Sequence, residues 1–362
     1  MPKIMFLGAA VIVALLAAGL LFEAVSEAWT GRRYPPPGRL VDVGGRRLHI
    51  LCKGTADGPT VVIEQGAGSP SIFWWPIQDA VGRFARVCTY DRAGVLWSDP
   101  APGLRSLDDR VDDLHALLAR AQVPGPYVLV GHSYGGPLVR MFARRYPEAS
   151  AGMVLVDTPE EGVIFRPAYP AYVRKLGQVL DAARLAARLG LLRLVLPLVS
   201  RPEGGVTPEM NRIAIGFMAR PSFVRLMHQD MASLDTARAA TERAGGFGSL
   251  GDRPLVVITH SKPFPGPAAS LEDGWMDGQK QLAALSTDSE LQVAYKSNHM
   301  INLEEPELVV DAIRRVVTAA REGRRLSSAP ASSRGWAELQ SIRSSTTKAR
   351  SGCRGTPKGA SS

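Results

Sequence analysis

The sequence contains few cysteines and none of the short motifs that mark metal or nucleotide sites. Only three of its 362 residues are cysteine, too few for a scaffold held together by disulfides. It has no C-x-x-C, no H-E-x-x-H and no G-x-x-x-x-G-K-[ST], so the strongest signals for zinc and P-loop nucleotide sites are missing. We therefore expect no cofactor and no metal, and look for the chemistry among ordinary side chains.

The sequence also lacks internal repeats and the composition of a disordered chain. Its 36 glycines and 27 prolines follow no period, which excludes collagen-like and solenoid architectures. Hydrophobic residues make up 45% of the chain and charged residues 21%, a balance that can bury a full core. One large domain or two modest domains fit this length.

The positive charge is concentrated at the C-terminal end. The formal net charge is +9, and residues 321–362 hold nine Lys or Arg against two Asp or Glu. This segment is rich in Ser, Ala, Arg and Gly without an apolar period, so we predict a disordered basic tail. For this tail a solvated extension is favoured over contact with anionic lipid or nucleic acid. No nucleic acid partner is expected, because the rest of the chain is nearly neutral.

A long apolar run stands near the N-terminus. Ile4–Phe22 is an uninterrupted stretch of nineteen apolar or small residues, long enough to span a bilayer as a helix. An uncleaved anchor is favoured over a cleaved secretory signal, because residues 26–28 offer only a weak cleavage site, and over a buried core helix. Residues 1–38 are thus predicted to be an anchor or signal followed by a Pro-rich linker that holds the body off the bilayer. The protein is expected to be membrane-anchored or exported, with its sidedness and oligomeric state open.

The body alternates strand-like and helix-like stretches. Such alternation is typical of an α/β fold, and we predict a mostly parallel eight-stranded sheet with helices on both faces. The first two predicted strands form a hairpin, and the others are the short apolar runs of a buried parallel sheet. The predicted strands are Leu40–Val43, Arg47–Cys52, Thr60–Glu64, Arg86–Tyr90, Tyr127–Val130, Met153–Val156, Leu255–Thr259 and Leu291–Tyr295.

One segment interrupts this alternation. Residues 160–248 contain partly amphipathic helical patterns and no convincing strand, which indicates an inserted helical cap between the two parts of the core, residues 39–159 and 249–320. Within the cap, Leu191–Val199 is very apolar. We expect it to pack inside the cap, with a substrate entrance as the alternative.

A candidate nucleophile follows the fifth predicted strand. Gly131-His132-Ser133-Tyr134-Gly135 has the form G-x-S-x-G and leads into a predicted helix, the strand, tight turn and helix of a nucleophile elbow. The serine hydroxyl then projects from a strained turn, and glycines two residues before and after it avoid collisions with the neighbouring backbone. The start of the helix also directs amide hydrogens toward developing negative charge.

With this context the segment resembles the elbow of the α/β-hydrolase family, and the resemblance extends over about residues 39–320. Glu64-Gln65-Gly66-Ala67-Gly68 follows the third strand, where members of the family have an oxyanion-hole loop. The resemblance implies that the backbone N–H groups of Ala67 and Tyr134 would stabilise a tetrahedral oxyanion. An ordinary turn is the alternative reading of the two glycines.

A serine nucleophile needs a base, and six histidines are candidates. His299 follows the last strand and precedes the last helix, which resembles the family's histidine loop and satisfies the chain order serine, acid, histidine. His260, at the end of the preceding strand, is the alternative base. For the acid we favour Asp157, at the end of the sixth strand, a position that some family members use. Asp273 or Asp277 is the alternative.

The resemblance implies a serine hydrolase that cleaves a small or medium lipophilic ester through an acyl-enzyme. A peptidase, amidase, thioesterase or carbon–carbon bond hydrolase could use the same residues, and a non-catalytic binding module is the alternative outside enzymes. Haloalkane dehalogenase or epoxide hydrolase activity is disfavoured, because those relatives have a carboxylate in place of Ser133. The resemblance also implies that Cys52 and Cys88 lie on neighbouring strands, so that a disulfide could join them in an exported protein; the alternative is that both are small buried hydrophobic side chains.

Overall fold

The predicted eight-stranded sheet forms the centre of the molecule. We describe a computed structural model, which covers residues 2–55, 57–200, 204–243, 246 and 248–326. The apolar runs form buried strands at or within a few residues of the predicted bounds, because β-branched and aliphatic side chains fill both faces. The strands are β1 Arg39–Asp42, β2 Arg47–Lys53, β3 Thr60–Glu64, β4 Val87–Tyr90, β5 Tyr127–His132, β6 Ser150–Val156, β7 Leu255–His260 and β8 Ser289–Ala294.

The strand order is β1-β2-β4-β3-β5-β6-β7-β8. Strand β2 is antiparallel to both of its neighbours, and all pairs from β4 to β8 are parallel. The predicted fold class, a mostly parallel sheet, is confirmed. Because the parallel strands end at one edge of the sheet, the residues that follow β3, β5, β6, β7 and β8 meet there.

Helices connect the strands and cover both faces of the sheet. Helices α2 and α12 pack on one face, whereas α3, α4 and α10 pack on the other. A fully buried Leu or Val contributes about 1.5–3 kcal/mol. The helices are α1 Pro2–Arg33, α2 Trp75–Val81, α3 Leu107–Arg120, α4 Gly135–Arg145, α5 Glu161–Ile164, α6 Ala168–Arg188, α7 Leu191–Val199, α8 Pro208–Met218, α9 Pro221–Arg243, α10 Trp275–Ala283, α11 Ile301–Glu304 and α12 Pro306–Glu322.

Helices α5 to α9 form the segment for which the sequence indicates a cap, and the described part of this segment contains no strand. The position of α7 differs from both sequence expectations. None of its residues is buried, and none lines the cavity above the serine turn. Its outer side chains are 46% exposed at Leu191 and 81% exposed at Leu198. Helix α7 therefore lies on the outside of the cap.

The N-terminal helix is longer than the apolar run and packs against the body. Lys3–Arg33 is long and apolar enough to cross a membrane, and none of its most apolar window is buried. Its second half contacts the cap, where Glu23 forms an ion pair of 2.7 Å with Arg193. Trp97 Nε1 donates to the carbonyl oxygen of Tyr34 at 2.8 Å. Residues 34–38 therefore do not separate the body from this helix, because the helix continues to Arg33 and docks on the cap.

The disulfide that the sequence left open is present. Cys52 on β2 faces Cys88 on β4 in register, with 4.1 Å between the Cα atoms, and the two side chains form a disulfide. The bridge joins the antiparallel strand β2 to the parallel part of the sheet. Cys353 and the rest of residues 327–362, including most of the predicted basic tail, lie outside the described residues.

Candidate active site

Ser133 lies in a strained turn between β5 and α4. Its φ is +50°, a left-handed conformation that is uncommon for residues other than glycine. A Cβ added at Gly131 would lie 2.6 Å from Val139 Cγ2, and one at Gly135 would overlap the carbonyl oxygen of Glu64. Glycine is thus required on both sides, and the turn presents the Ser133 hydroxyl at the edge of the sheet.

His299 reaches this hydroxyl from the loop between β8 and α11. Its Nε2 lies 2.8 Å from Ser133 Oγ, within hydrogen-bonding distance of a base and its nucleophile. The carbonyl oxygen of His299 accepts a hydrogen bond from His132 Nε2 at 2.9 Å. Burial lowers the pKa of His132 to about 3, with a further decrease from nearby His299. His132 is therefore a neutral donor that holds the loop.

Asp157 completes a chain of hydrogen bonds. It follows β6 with a φ of +45°, and its Oδ2 lies 2.6 Å from His299 Nδ1. The carboxylate is fully buried and also accepts from Trp275 Nε1 at 3.0 Å. Burial acts to raise the pKa of Asp157, but hydrogen bonds from His260 and His299 outweigh it and hold the pKa below its usual range. Asp157 is thus ionised at neutral pH.

His260 has a different position from the one the alternative hypothesis requires. It does not contact Ser133 but lies between two carboxylates, with Nδ1 2.7 Å from Asp157 Oδ2 and Nε2 3.2 Å from Glu272 Oε2. Burial acts to lower its pKa, whereas the bonds to Asp157 and Glu272 raise it to about 9. His260 is therefore a buried cation at neutral pH, which makes it unsuitable as a base.

The two alternative acids, Asp273 and Asp277, pair with groups outside the serine turn. The side chain of Asp273 is fully exposed and lies 3.9 Å from Arg166. Asp277 is exposed and pairs with Lys280 at 2.9 Å. The structure brings together Ser133, His299 and Asp157 instead.

The predicted oxyanion donors flank Ser133. The loop after β3 lies against the serine turn, since a Cβ added at Gly66 would be 3.4 Å from Ser133 Cβ. Among the described residues, the structure records no acceptor for the N–H of Ala67 or of Tyr134. Both residues line the same cavity as Ser133, so the two amides are available to a ligand there.

A buried charged network supports this loop from behind. Arg92 donates to the carbonyl oxygen of Gly66 at 2.6 Å and forms an ion pair with Glu64. Asp230, from helix α9, accepts from Gly68 N at 3.0 Å and lies 2.8 Å from Arg110. All four charged side chains are at most 4% exposed. The network therefore ties the loop that carries Ala67 to the cap.

The cavity above Ser133 is apolar. Its volume is about 320 Å³, at the lower end of the range for small-molecule sites. None of the described residues that line it is Asp, Glu, Lys or Arg. Helices α6, α8 and α9 supply most of its outer wall. The wall includes Tyr172, Leu176, Met218, Phe223, Met227 and Met231.

Sequence reasoning missed three of these roles. His260 and Trp275 both donate hydrogen bonds to Asp157. A Ser-His-Asp triad contains a single histidine, so a second histidine bonded to the acid was not expected. Asp230 lies 162 residues from its partner Gly68, so no local pattern connects them. One signal was available in the sequence. An acidic residue that an amphipathic helix would bury needs a partner for its charge.

Comparisons with known proteins agree with this fold. A family model described as alpha/beta hydrolase fold matches residues 59–198. The uncharacterised protein YqjL of Bacillus subtilis (strain 168) is 26% identical over 296 residues, 82% of this chain and 95% of its own. Several relatives at higher identity are matched over less than half of their own length.

Solved structures are similar over most of both chains. A thermophilic esterase from Thermogutta terrifontis has a TM-score of 0.57 and 22% identity, covering 78% of this chain and 98% of its own. An epoxide hydrolase from Bacillus megaterium has a TM-score of 0.60 and 18% identity, covering 77% and 100%. At these identities the likeness shows the fold alone. Together with the family model, it shows that this chain has the α/β-hydrolase fold.

Proposed function

We propose that this protein is a serine hydrolase that cleaves neutral, lipophilic carboxylic esters. The observation that carries the proposal is the continuous chain of hydrogen bonds from Ser133 through His299 to Asp157, with distances of 2.8 Å and 2.6 Å. A nucleophile, a base and a buried carboxylate in this order are the arrangement that activates serine hydroxyls.

The geometry supports a double-displacement reaction. Asp157 is ionised and accepts a hydrogen bond from Nδ1–H of His299, which leaves the Nε2 lone pair directed at the Ser133 hydroxyl. His299 removes the hydroxyl proton as Ser133 Oγ attacks the carbonyl carbon, and the N–H groups of Ala67 and Tyr134 stabilise the oxyanion. His299 then protonates the departing alkoxide, and water hydrolyses the acyl-enzyme by the same steps.

The cavity favours a lipophilic acyl group. A charged substrate group would lose its hydration without gaining an opposite charge, since the described lining residues include no Asp, Glu, Lys or Arg. Four methionines, at positions 218, 227, 231 and 300, line the cavity. Flexible thioether chains adapt to substrates of different shape, so we expect tolerance of several acyl lengths.

The N-terminal helix supports attachment to a membrane. The run of nineteen apolar residues at Ile4–Phe22 has the length of a bilayer's hydrocarbon core. It is solvent-exposed along the helix, which is unfavourable in water and favourable in lipid. We include in the proposal that α1 acts as an uncleaved anchor, because its second half is packed into the cap.

Hydrolysis of p-nitrophenyl esters of graded acyl length tests the proposal. Detergent-solubilised full-length protein should turn over the longer neutral esters, and Ser133→Ala should abolish this activity. Ser289→Ala, which alters an exposed serine on the edge strand, is the matched control and should retain it. Amides and thioesters of the preferred acyl group identify the scissile bond. A folded protein that hydrolyses none of them, or a fully active Ser133→Ala variant, would contradict the proposal.

A further inference from the structure

Helix α7 presents an apolar face to the outside of the cap. Leu191, Leu194, Val195 and Leu198 occur at helical spacing and are between 46% and 81% exposed. Its opposite side packs against the cap through Leu192. Soluble proteins rarely expose a contiguous row of large aliphatic side chains, and such a row marks an interaction surface.

The same face begins where the N-terminal helix meets the cap. A Cβ added at Gly19 would lie 2.9 Å from the carbonyl oxygen of Leu189, and one at Gly190 would overlap the ring of Phe22. Small residues thus let α1 approach the junction between α6 and α7 closely. Phe22 is the last residue of the apolar run, so α7 starts at the level where that run ends.

Charged groups mark the boundary of this apolar surface. Directly after Phe22, Glu23 is buried against Arg193 at 2.7 Å. One helical turn further, Glu27 lies 3.4 Å from Arg220. The apolar side chains of α1 before this level are 43–76% exposed where they are large. Two exposed apolar elements, the first part of α1 and the outer face of α7, therefore meet beside these charged pairs.

We propose that the outer face of α7 inserts into the lipid bilayer beside α1, so that the cap rests on the membrane surface. The inference rests on the proposed role of α1 as an anchor. A bilayer is favoured over a second copy of the chain because α1 has the length of a membrane span and brings α7 to its edge. Short helices with one apolar face bind at the boundary of headgroups and acyl chains.

This placement has a consequence for the substrate. Helix α6 ends at the contact with α1, and its residues Tyr169, Tyr172 and Leu176 line the catalytic cavity. The cavity wall and the membrane-contacting surface are thus formed by the same helical layer. A lipophilic ester dissolved in the bilayer would be concentrated beside the helical layer that also forms the cavity wall.

Fluorescence from a single label tests the insertion in the full-length chain. An environment-sensitive NBD probe is attached at Leu198→Cys in a Cys353→Ser background, where Cys52 and Cys88 are bridged. The control label is placed at Leu104→Cys, since Leu104 is 75% exposed and belongs to neither apolar element. Both proteins are reconstituted in phosphatidylcholine vesicles with and without lipids that carry a doxyl quencher in the acyl chain.

We expect the label at position 198 to shift to shorter wavelength in vesicles and to be quenched several-fold more strongly than the label at position 104. Equal quenching at the two positions in protein that floats with the vesicles would overturn the insertion of α7 alone. Failure to float would overturn the anchor as well. A shift at position 198 that disappears as the protein is diluted in lipid would mean that a second copy covers α7, and would also overturn the inference.

A catalytic readout provides a second test. In a Leu194→Ser, Leu198→Ser variant, hydrolysis of a long-chain ester embedded in vesicles should fall several-fold, whereas hydrolysis of a soluble short-chain ester should not change. An equal effect on both substrates would contradict a membrane role for this face. If the parent protein hydrolyses neither substrate, the result contradicts the proposed hydrolase function instead.

Discussion

Replacement of His260 by glutamine should move the acid limb of the pH profile. His260 carries a positive charge below about pH 9, because Asp157 and Glu272 raise its pKa. In the acid limb, an added positive charge at the site stops catalysis, and the nearby His260 cation disfavours a second positive charge beside Asp157. Without this cation the site should accept that charge at higher pH, so the His260→Gln enzyme should lose activity earlier as the pH falls.

The structure sets the size of this effect. Nδ1 of His260 and Nδ1 of His299 lie 2.7 Å and 2.6 Å from the same oxygen of Asp157, so they are at most about 5.3 Å apart. Two unit charges at this distance repel by about 3 kcal/mol at an effective dielectric constant of about 20. The charge is shared over each ring, and His299 is 24% exposed, which reduces the repulsion to about 1–2 kcal/mol. This corresponds to a shift of about one pH unit.

The assay is kcat/KM for a soluble ester between pH 4 and 10, measured on wild type, His260→Gln and His115→Gln. His115 is the control. Its ring stacks on Tyr146 and does not hydrogen-bond to the candidate active site, so its variant should keep the wild-type profile. Thermal unfolding verifies that each protein is folded. An acid limb of His260→Gln that stays in place or moves to lower pH would refute the electrostatic reasoning.

Two further substitutions and the reduction of the disulfide test the supports of the site. Gly135→Ala should abolish esterase activity, because the added methyl overlaps the carbonyl oxygen at the end of β3; initial rates measure this, and an active variant would contradict the required turn. Asp230→Ala should destabilise the fold by about 3–5 kcal/mol, since it removes the carboxylate that pairs with buried Arg110 and one of the two that pair with buried Arg92; an unchanged thermal midpoint would argue against the network. Reduction of the Cys52–Cys88 bridge should cost about 2–4 kcal/mol, seen as a lower midpoint in dithiothreitol.

The sheet could be predicted from sequence because its signals are local. Buried parallel strands are short β-branched runs such as Thr60–Glu64, and each is bounded by turn residues. The position of α7 could not be predicted in the same way. An apolar segment such as Leu191–Val199 has the same composition whether it packs in a core or faces lipid, and only its neighbours distinguish the two. Gly19 and Phe22, which contact the start of this segment, lie about 170 residues before it in the chain.

The proposed nucleophile and base could be predicted from the sequence for a similar reason. Ser133 lies in a motif with its own strand and helix, and His299 follows from chain order. The surroundings of Asp157 were not accessible, because a sequence does not show that His260 and Trp275 share its oxygens. Asp230 was missed because its role depends on docking of α9 against the loop after β3. Contacts between distant elements are thus the part that needed a structure.

The most direct test of the account is the reaction of the purified full-length protein with a fluorophosphonate probe, followed by mass mapping. We expect one covalent adduct on Ser133, slowed by orders of magnitude in His299→Ala, where the hydroxyl has lost its base. Labelling of another serine, or labelling of Ser133 at the same rate without His299, would contradict the central claim that these two residues act as nucleophile and base.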